Sequence, residues 1–262
     1  MNVSTERPGA GIAPAALAAG AEGDGMRLRV ATYNVRKCIG LDWRRRPERV
    51  LAVIDDLSAD IVALQEADKR FGGKLSTFAH INLKSAGWHA LPIAPHDGGI
   101  GWHGNAVLVR DDIEMEDIHR VYLPALEPRG AVIVDLNVRG VALRAVGAHL
   151  GLTRGMRVRQ AHHIVQELER LTPKPTIIMG DMNTWHPTAG CIEIFAQRYD
   201  LAPPRPTFHT SRPVAPLDRI AVSKGISVLE QGVMRDGFAK VASDHLPLWA
   251  DIAVERMEPA IR

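Results

Sequence analysis

"TIIMGDMNTWHP", residues 176–187, decides how this chain is read. The apolar run Thr176 to Met179 reads as a short buried strand. Directly after Gly180 come an Asp, an Asn, a Trp and a His. Glycine permits a sharp exit that a side chain would obstruct. Asp181 and Asn183 alternate as strand neighbours do, so both side chains can face one crevice. Gly, Asp and Asn are also common turn formers, so the segment is either a plain turn or the edge of a site. The rest of the chain has to choose.

Outward from this segment, short apolar runs alternate with turns and helical stretches. "RLRVATYNV" (27–35) reads as a strand and "IVALQE" (61–66) as another. Between them Val50, Val53, Ile54 and Leu57 recur at helical spacing behind Pro47, which suits a first helical turn. Further strands are expected at 105–110, 131–138, 141–150, 176–180, 217–223 and 247–255. The pair at 131–138 and 141–150, joined by Arg139-Gly140, reads as an antiparallel hairpin. Helices are expected over 155–171 and 188–198. Many strands with few helices between them predict an α/β fold in which two mixed sheets pack together with helices outside. The segment 70–103, with Trp88 and Trp102, is long enough for a functional role. Residues 1–25, rich in Ala and Gly, read as a disordered extension or follow a misplaced start codon, with Met26 opening the domain that runs to 262.

Composition bounds the function classes. The 262 residues carry 46% hydrophobic and 24% charged side chains, ordinary values for a soluble globular chain. A formal charge of +2 does not demand a polyanionic partner. Cys38 and Cys191 stand alone, which argues against a zinc site or disulfide framework and permits a reducing compartment. No apolar run approaches the ~18 residues of a membrane span. A cytoplasmic location is expected, with secretion as the alternative, and no obligate protein partner is evident.

Asn34, Glu66, Asp181, Asn183, Asp218 and Asp244 all sit where an apolar run stops. Strand ends on one rim of a sandwich converge, and a ring of carboxylates and amides is what a hard divalent cation needs. Oxygen donors favour Mg²⁺ or Mn²⁺ over zinc. Glu66, ending a buried strand, is the leading single ligand. His149 closes the strand 141–150 and His245 lies in "SDHLPL" before the last strand. Hydrolysis of a phosphodiester would use both: one to activate or orient water, the other to protect the departing oxygen. Asp218, in "LDRI", could fix the tautomer of one imidazole. Arg129, Arg154 and Arg157 could hold phosphate oxygens.

Taken in order, "TYNV", "LQE", "HGNAVLVR", "EPRGAV", "GAHLGL", "GDMN", "TF", "LDRI" and "SDHLPL" resemble the endonuclease/exonuclease/phosphatase superfamily. Its members include pancreatic deoxyribonuclease, exonuclease III, neutral sphingomyelinases and inositol polyphosphate 5-phosphatases. The blocks run from residue 32 to 248. The resemblance implies a four-layered α/β sandwich, with Asn34 and Glu66 on the metal and Asp244 supporting the metal or phosphate. It implies that Asp181 and Asn183 position water and the scissile phosphate, and that Asp218 orients His245. His149 matches the second histidine of the deoxyribonuclease and sphingomyelinase branches. Asn105, in "HGNAVLVR", joins the three arginines as a phosphate or substrate contact. Met182 replaces a more usual Phe or Leu, a swap of similar size. Trp185 and His186 are expected to pack the crevice rim, with stacking on a substrate as the alternative.

The expected activity is Mg²⁺- or Mn²⁺-dependent phosphodiester hydrolysis, with DNA as substrate. Arg36, Lys37, Arg44, Arg45 and Arg46 cluster where nuclease relatives approach the backbone. Phospholipids or inositol phosphates are the alternative substrates, with Trp102 in "GGIGWHG" (98–104) as a thin membrane anchor. A catalytically idle binding module is the alternative of another class. Retention of Glu66, Asp181, Asn183, Asp218 and His245 counts against it.

Overall fold

The computed structural model describes residues 25–68, 75–124 and 129–255. The segment 1–24, read above as an extension, lies outside them. Strand β1 (Met26–Asn34), helix α1 (Pro47–Asp56) and strand β2 (Ile61–Gln65) form the expected unit, with the two strands parallel. Then come β3 (His89–Ala90), β4 (Ala106–Val109), β5 (Ile113–Tyr122), β6 (Gly130–Val138) and β7 (Val141–His149). Helix α2 (Arg154–Arg170) leads to β8 (Thr176–Asp181), and α3 (Cys191–Ala196) to β9 (Asp200–Leu201). The chain closes with β10 (Asp218–Val222), β11 (Ile226–Val233) and β12 (Leu248–Val254).

These strands form two six-stranded sheets, ordered β11-β12-β1-β2-β4-β3 and β5-β6-β7-β8-β10-β9. Both are mixed: β1 and β2 are parallel in the first, β7 and β8 in the second. Side-chain alternation assigns the layers. Leu28 and Val30 of β1, Val132 and Val134 of β6, and Ile177 and Met179 of β8 all enter the core between the sheets. Their neighbours face outward. Ala31 and Tyr33 meet Val50, Val53 and Ile54 of α1, while Ile133, Val146 and Ile178 meet Ile164, Leu168 and Phe195 of α2 and α3. Helix, sheet, sheet, helix is therefore the layer order, as the sequence predicts.

The same alternation positions the polar residues. Continuing the inward parity past the last apolar residue reaches Asn34 on β1, His149 on β7, Asp181 on β8 and Asp218 on β10. In the ladder His149 pairs with Asp181, and Asp181 with Asp218, so three ionisable residues lie side by side across adjacent strands. The second sheet presents them at one edge.

Gly180 is not an exit. It lies inside β8, paired with Ala148, and a Cβ there would come within 1.9 Å of the Ala148 carbonyl oxygen. The glycine serves close approach of two backbones, and the chain turns only at Asn183, whose φ is 48°. Trp88 is also a structural residue rather than a functional one. It is fully buried, its Nε1 donates to Asp55 Oδ1 at 2.7 Å, and Arg110 stacks on its ring at 3.7 Å. Trp102 is 8% exposed, which removes it as a membrane anchor. Among the described residues no helix is long and apolar enough to cross a membrane.

Candidate active site

The polar edge opens into a cavity of about 430 Å³ between the rims of the two sheets. Asn34, Glu66 and Asp244 line it from the first sheet's side, and His149, Asp181 and Asn183 from the second. His245 and Arg129 complete the set, and Asp218 sits directly behind His245.

Asp181 is the centre of the arrangement. Its Oδ2 accepts from Asn34 Nδ2 at 3.0 Å, a contact that joins the two sheets, and its Oδ1 accepts from the Asn183 backbone N–H at 2.9 Å. The Nε2 atoms of His149 and His245 lie 3.5 and 3.7 Å from the same Oδ2. One carboxylate oxygen thus faces three side-chain nitrogens, two of them from imidazoles. Asp181 is 1% exposed, so these contacts act with little screening by water.

His245 is fixed from behind. Asp218 Oδ2 lies 2.9 Å from its Nδ1, which places the proton on Nδ1 and aims Nε2 at the cavity. The His245 backbone N–H donates to Ser243 Oγ at 3.3 Å, and Ser243 Oγ donates to the Asn34 carbonyl at 2.7 Å. Phe208 packs on the imidazole at 5.0 Å between ring centroids. The short "SDH" turn is therefore pinned to the end of β1.

The two histidines differ electrostatically. Burial alone would depress His245, but Asp218 and Asp181 outweigh it and hold its pKa up to about 10. Burial pushes His149 down to about 3, because the Asp181 carboxylate only partly offsets the loss of water. The surroundings thus favour the charged form of His245 and the neutral form of His149.

Glu66 follows β2 with a φ of 56°, and its carboxylate is ion-paired with Lys37. Asp244 Oδ2 lies 3.3 Å from Arg36 Nε. Both cations come from the turn after β1, where Arg36, Lys37 and Cys38 have φ values of 45°, 55° and 58°. Three consecutive left-handed residues are uncommon and hold the two basic side chains over the carboxylates. Arg44, Arg45 and Arg46 are exposed beyond this turn.

The donor set suits a hard divalent cation. Glu66, Asp244, Asn34 and Asp181 bring carboxylate and amide oxygens to one cavity, and no cysteine lines it. Asp181, Asp218 and His245 also place one donor atom each within 4.8 Å of one another. That trio is better used as a hydrogen-bonded relay: a metal would need a deprotonated imidazole, and both carboxylates favour the protonated ring.

Three assigned residues are not brought into the cavity. Asn105 is fully buried and donates from Nδ2 to the carbonyls of Trp102 and Gly130, at 3.2 and 2.9 Å. It ties the 98–104 loop to β6 and is placed to shape the wall rather than to touch a substrate. Arg154 and Arg157, at the start of α2, line a second, adjacent concavity. Trp185 does not pack the rim as expected; it is 63% exposed.

The sequence assigns no role to Asp68, or to His103 at the head of "HGNAVLVR", yet both also line the main cavity. Asp68 accepts from the backbone N–H groups of Ile100 and Gly101 at 3.1 and 3.0 Å, anchoring the loop that delivers His103. Burial raises the Asp68 pKa, and those two N–H groups oppose the rise. The length of the 70–103 segment and the "HGNAVLVR" block were the signals near His103, and Asp68 had none.

Comparison with known proteins agrees with this architecture. The model of the Endonuclease/Exonuclease/phosphatase family matches residues 31–245. The protein YbhP of Escherichia coli K12 is 32% identical over 163 residues, which are 58% of this chain and 63% of YbhP. The match thus spans less than two thirds of that relative. An endonuclease/exonuclease/phosphatase from Bacteroides vulgatus superposes with a TM-score of 0.72 at 21% identity, over 88% of this chain and 100% of that one. The human Nocturnin catalytic domain with bound sulfate gives 0.66 at 22% identity, over 87% and 94%. These two likenesses speak for the fold. The family match runs from β1 to the "SDH" turn, across every strand that feeds the cavity, and the chain belongs to the endonuclease/exonuclease/phosphatase family.

Proposed function

We propose that the protein is a Mg²⁺- or Mn²⁺-dependent phosphodiesterase that cleaves DNA by in-line attack of water. The observation that supports it most is the Asp218–His245–Asp181 relay, with His149 facing the same Asp181 oxygen, in a cavity that Arg36, Lys37 and Arg129 also line. In such a reaction the water oxygen bonds to phosphorus while the opposite P–O bond breaks. One proton leaves the water and one reaches the departing oxygen. His245 and His149 serve the two ends of that displacement. Asp181 and Asn183 position the water and the scissile phosphate between them. Asp218 keeps the His245 ring in one tautomer and orientation.

Glu66, Asn34 and Asp244 would hold the cation, which when bound neutralises charge on the phosphate and the leaving oxygen. Lys37, Arg36 and Arg129 face the non-bridging oxygens. Removing the Glu66 charge should therefore weaken the metal site without emptying the cavity. For Glu66→Gln the Mn²⁺ concentration giving half-maximal activity is expected to rise roughly tenfold or more. A titration curve that does not move removes Glu66 from the ligand set.

The DNA assignment rests on the basic turn, where Arg36 and Lys37 line the cavity and Arg44, Arg45 and Arg46 extend the charge outward. Supercoiled plasmid incubated with Mg²⁺ or Mn²⁺ tests it. Nicking by the wild type, absent from an identically purified His245→Gln variant, is the expected result. An intact plasmid alongside turnover of bis(p-nitrophenyl) phosphate would keep the chemistry and replace DNA with a phospholipid or inositol phosphate.

A further inference from the structure

Beside the catalytic cavity lies a second concavity of about 450 Å³ whose wall includes Arg154, Arg157, Thr184, Trp185 and His186. His186 Nδ1 accepts from the backbone N–H groups of Ala189 and Thr188 at 2.9 and 3.3 Å, so the proton sits on Nε2. Arg157 spends its guanidinium on the Leu152 and Gly151 carbonyls, at 2.5 and 3.4 Å. No such tether holds Arg154 among the described residues, and it is exposed. Arg154 and His186, both exposed, thus border a mostly apolar wall that includes Trp185, itself 63% exposed.

The concavity continues the catalytic one. Leu152 and Asn183 line the first, while Arg154 and Thr184, their near neighbours in the chain, line the second. Asn183 Nδ2 donates to the Leu150 carbonyl at 2.8 Å, and the Gly151 N–H donates to Gln160 Oε1 at 2.7 Å. These bonds stitch the two loops into one wall, so the subsite is set before any ligand arrives.

We propose that this second concavity is an accessory subsite that takes the nucleotide next to the scissile phosphate, with Trp185 stacking on its base and Arg154 and His186 holding its phosphate. This rests on the phosphodiesterase reading and narrows it to a substrate whose flanking unit carries both an aromatic ring and an anion. A positively charged groove with an exposed aromatic platform is the way proteins grip single-stranded nucleic acid without reading its sequence. A bilayer would also meet an exposed Trp and Arg. It is a flat surface, however, and would not fill a concave site.

The test separates binding from turnover. With EDTA present, titrating a short single-stranded oligothymidylate should quench tryptophan fluorescence, and Trp185→Phe should remove that quenching. Arg154→Ala should weaken binding about tenfold. In the presence of Mn²⁺, Trp185→Ala and Arg154→Ala should raise KM for the oligonucleotide by a similar factor and leave bis(p-nitrophenyl) phosphate turnover unchanged. Quenching that survives Trp185→Phe overturns the proposal. So does quenching by phosphatidylglycerol vesicles but not by the oligonucleotide, or a parallel loss of bis(p-nitrophenyl) phosphate turnover in both variants. Failure of the wild type to hydrolyse bis(p-nitrophenyl) phosphate would instead strike the phosphodiesterase reading, whatever the binding result.

Discussion

His245→Gln is expected to lower kcat for phosphodiester hydrolysis by about 10²–10⁴-fold, the span typical of a lost general acid or base. Glutamine is the informative replacement. Asp218 is fully buried, its Oδ1 has no hydrogen-bond partner, and its Oδ2 faces His245 Nδ1. Alanine would leave the carboxylate with neither oxygen satisfied, at a cost of about 1–3 kcal/mol in stability. Glutamine keeps an amide within reach but cannot titrate. Both variants should lose turnover, and only the alanine variant should also melt earlier. Activity of His245→Gln within a few-fold of wild type would remove His245 from the chemistry and leave it a structural partner of Asp218.

Gly180→Ala is expected to be among the most damaging single-methyl additions in the protein. The new Cβ would lie 1.9 Å from the Ala148 carbonyl oxygen and 2.8 Å from its carbon, both backbone atoms that no rotamer change can move. At a φ of 152° alanine is also strained in itself. Relief requires β7 and β8 to separate, and those strands carry His149 and Asp181. A loss of about 3 kcal/mol or more is expected. In a chain of this size that is a fall in Tm of roughly 6–12 °C. Activity should drop with it, because the His149 to Asp181 distance of 3.5 Å depends on the same register. An unchanged Tm by calorimetry would show that the two strands are not in this contact.

The polar edge was legible because the inner faces of the strands are continuous. Leu28, Val30 and Ile177, Met179 establish a parity that Asn34 and Asp181 continue with polar groups, and a buried polar group at such a place needs partners. The edge strands were not legible. β5 reads IEMEDIHRVY and β11 reads ISVLEQGV, and each lies at the outer end of its sheet with few side chains buried. With only one neighbour apiece they carry charges and a register break, at Met115/Asp117 and at Val228/Glu230. Those are the features by which edge strands avoid further pairing. They erase the apolar run by which a strand is recognised in sequence.

Residue type was also easier to read than place. Arginines at 154 and 157 suggested phosphate contacts, but which concavity they face depends on how α2 leaves β7. Asn105 looked like a substrate contact, yet its amide is consumed by the carbonyls of Trp102 and Gly130. Trp185 was expected to pack the crevice rim, with stacking on a substrate as the alternative; it follows the turn at Asn183 and is exposed.

Hydrolysis of bis(p-nitrophenyl) phosphate tests the central claim most directly, because the substrate has the diester and nothing that the specificity loops must recognise. Wild type with Mn²⁺ or Mg²⁺ should release p-nitrophenol, EDTA should stop it, and His245→Gln should be slower by about 10²-fold or more. Turnover that persists in EDTA, or equal rates for wild type and His245→Gln, would contradict a metal-dependent mechanism run through the Asp218–His245–Asp181 relay.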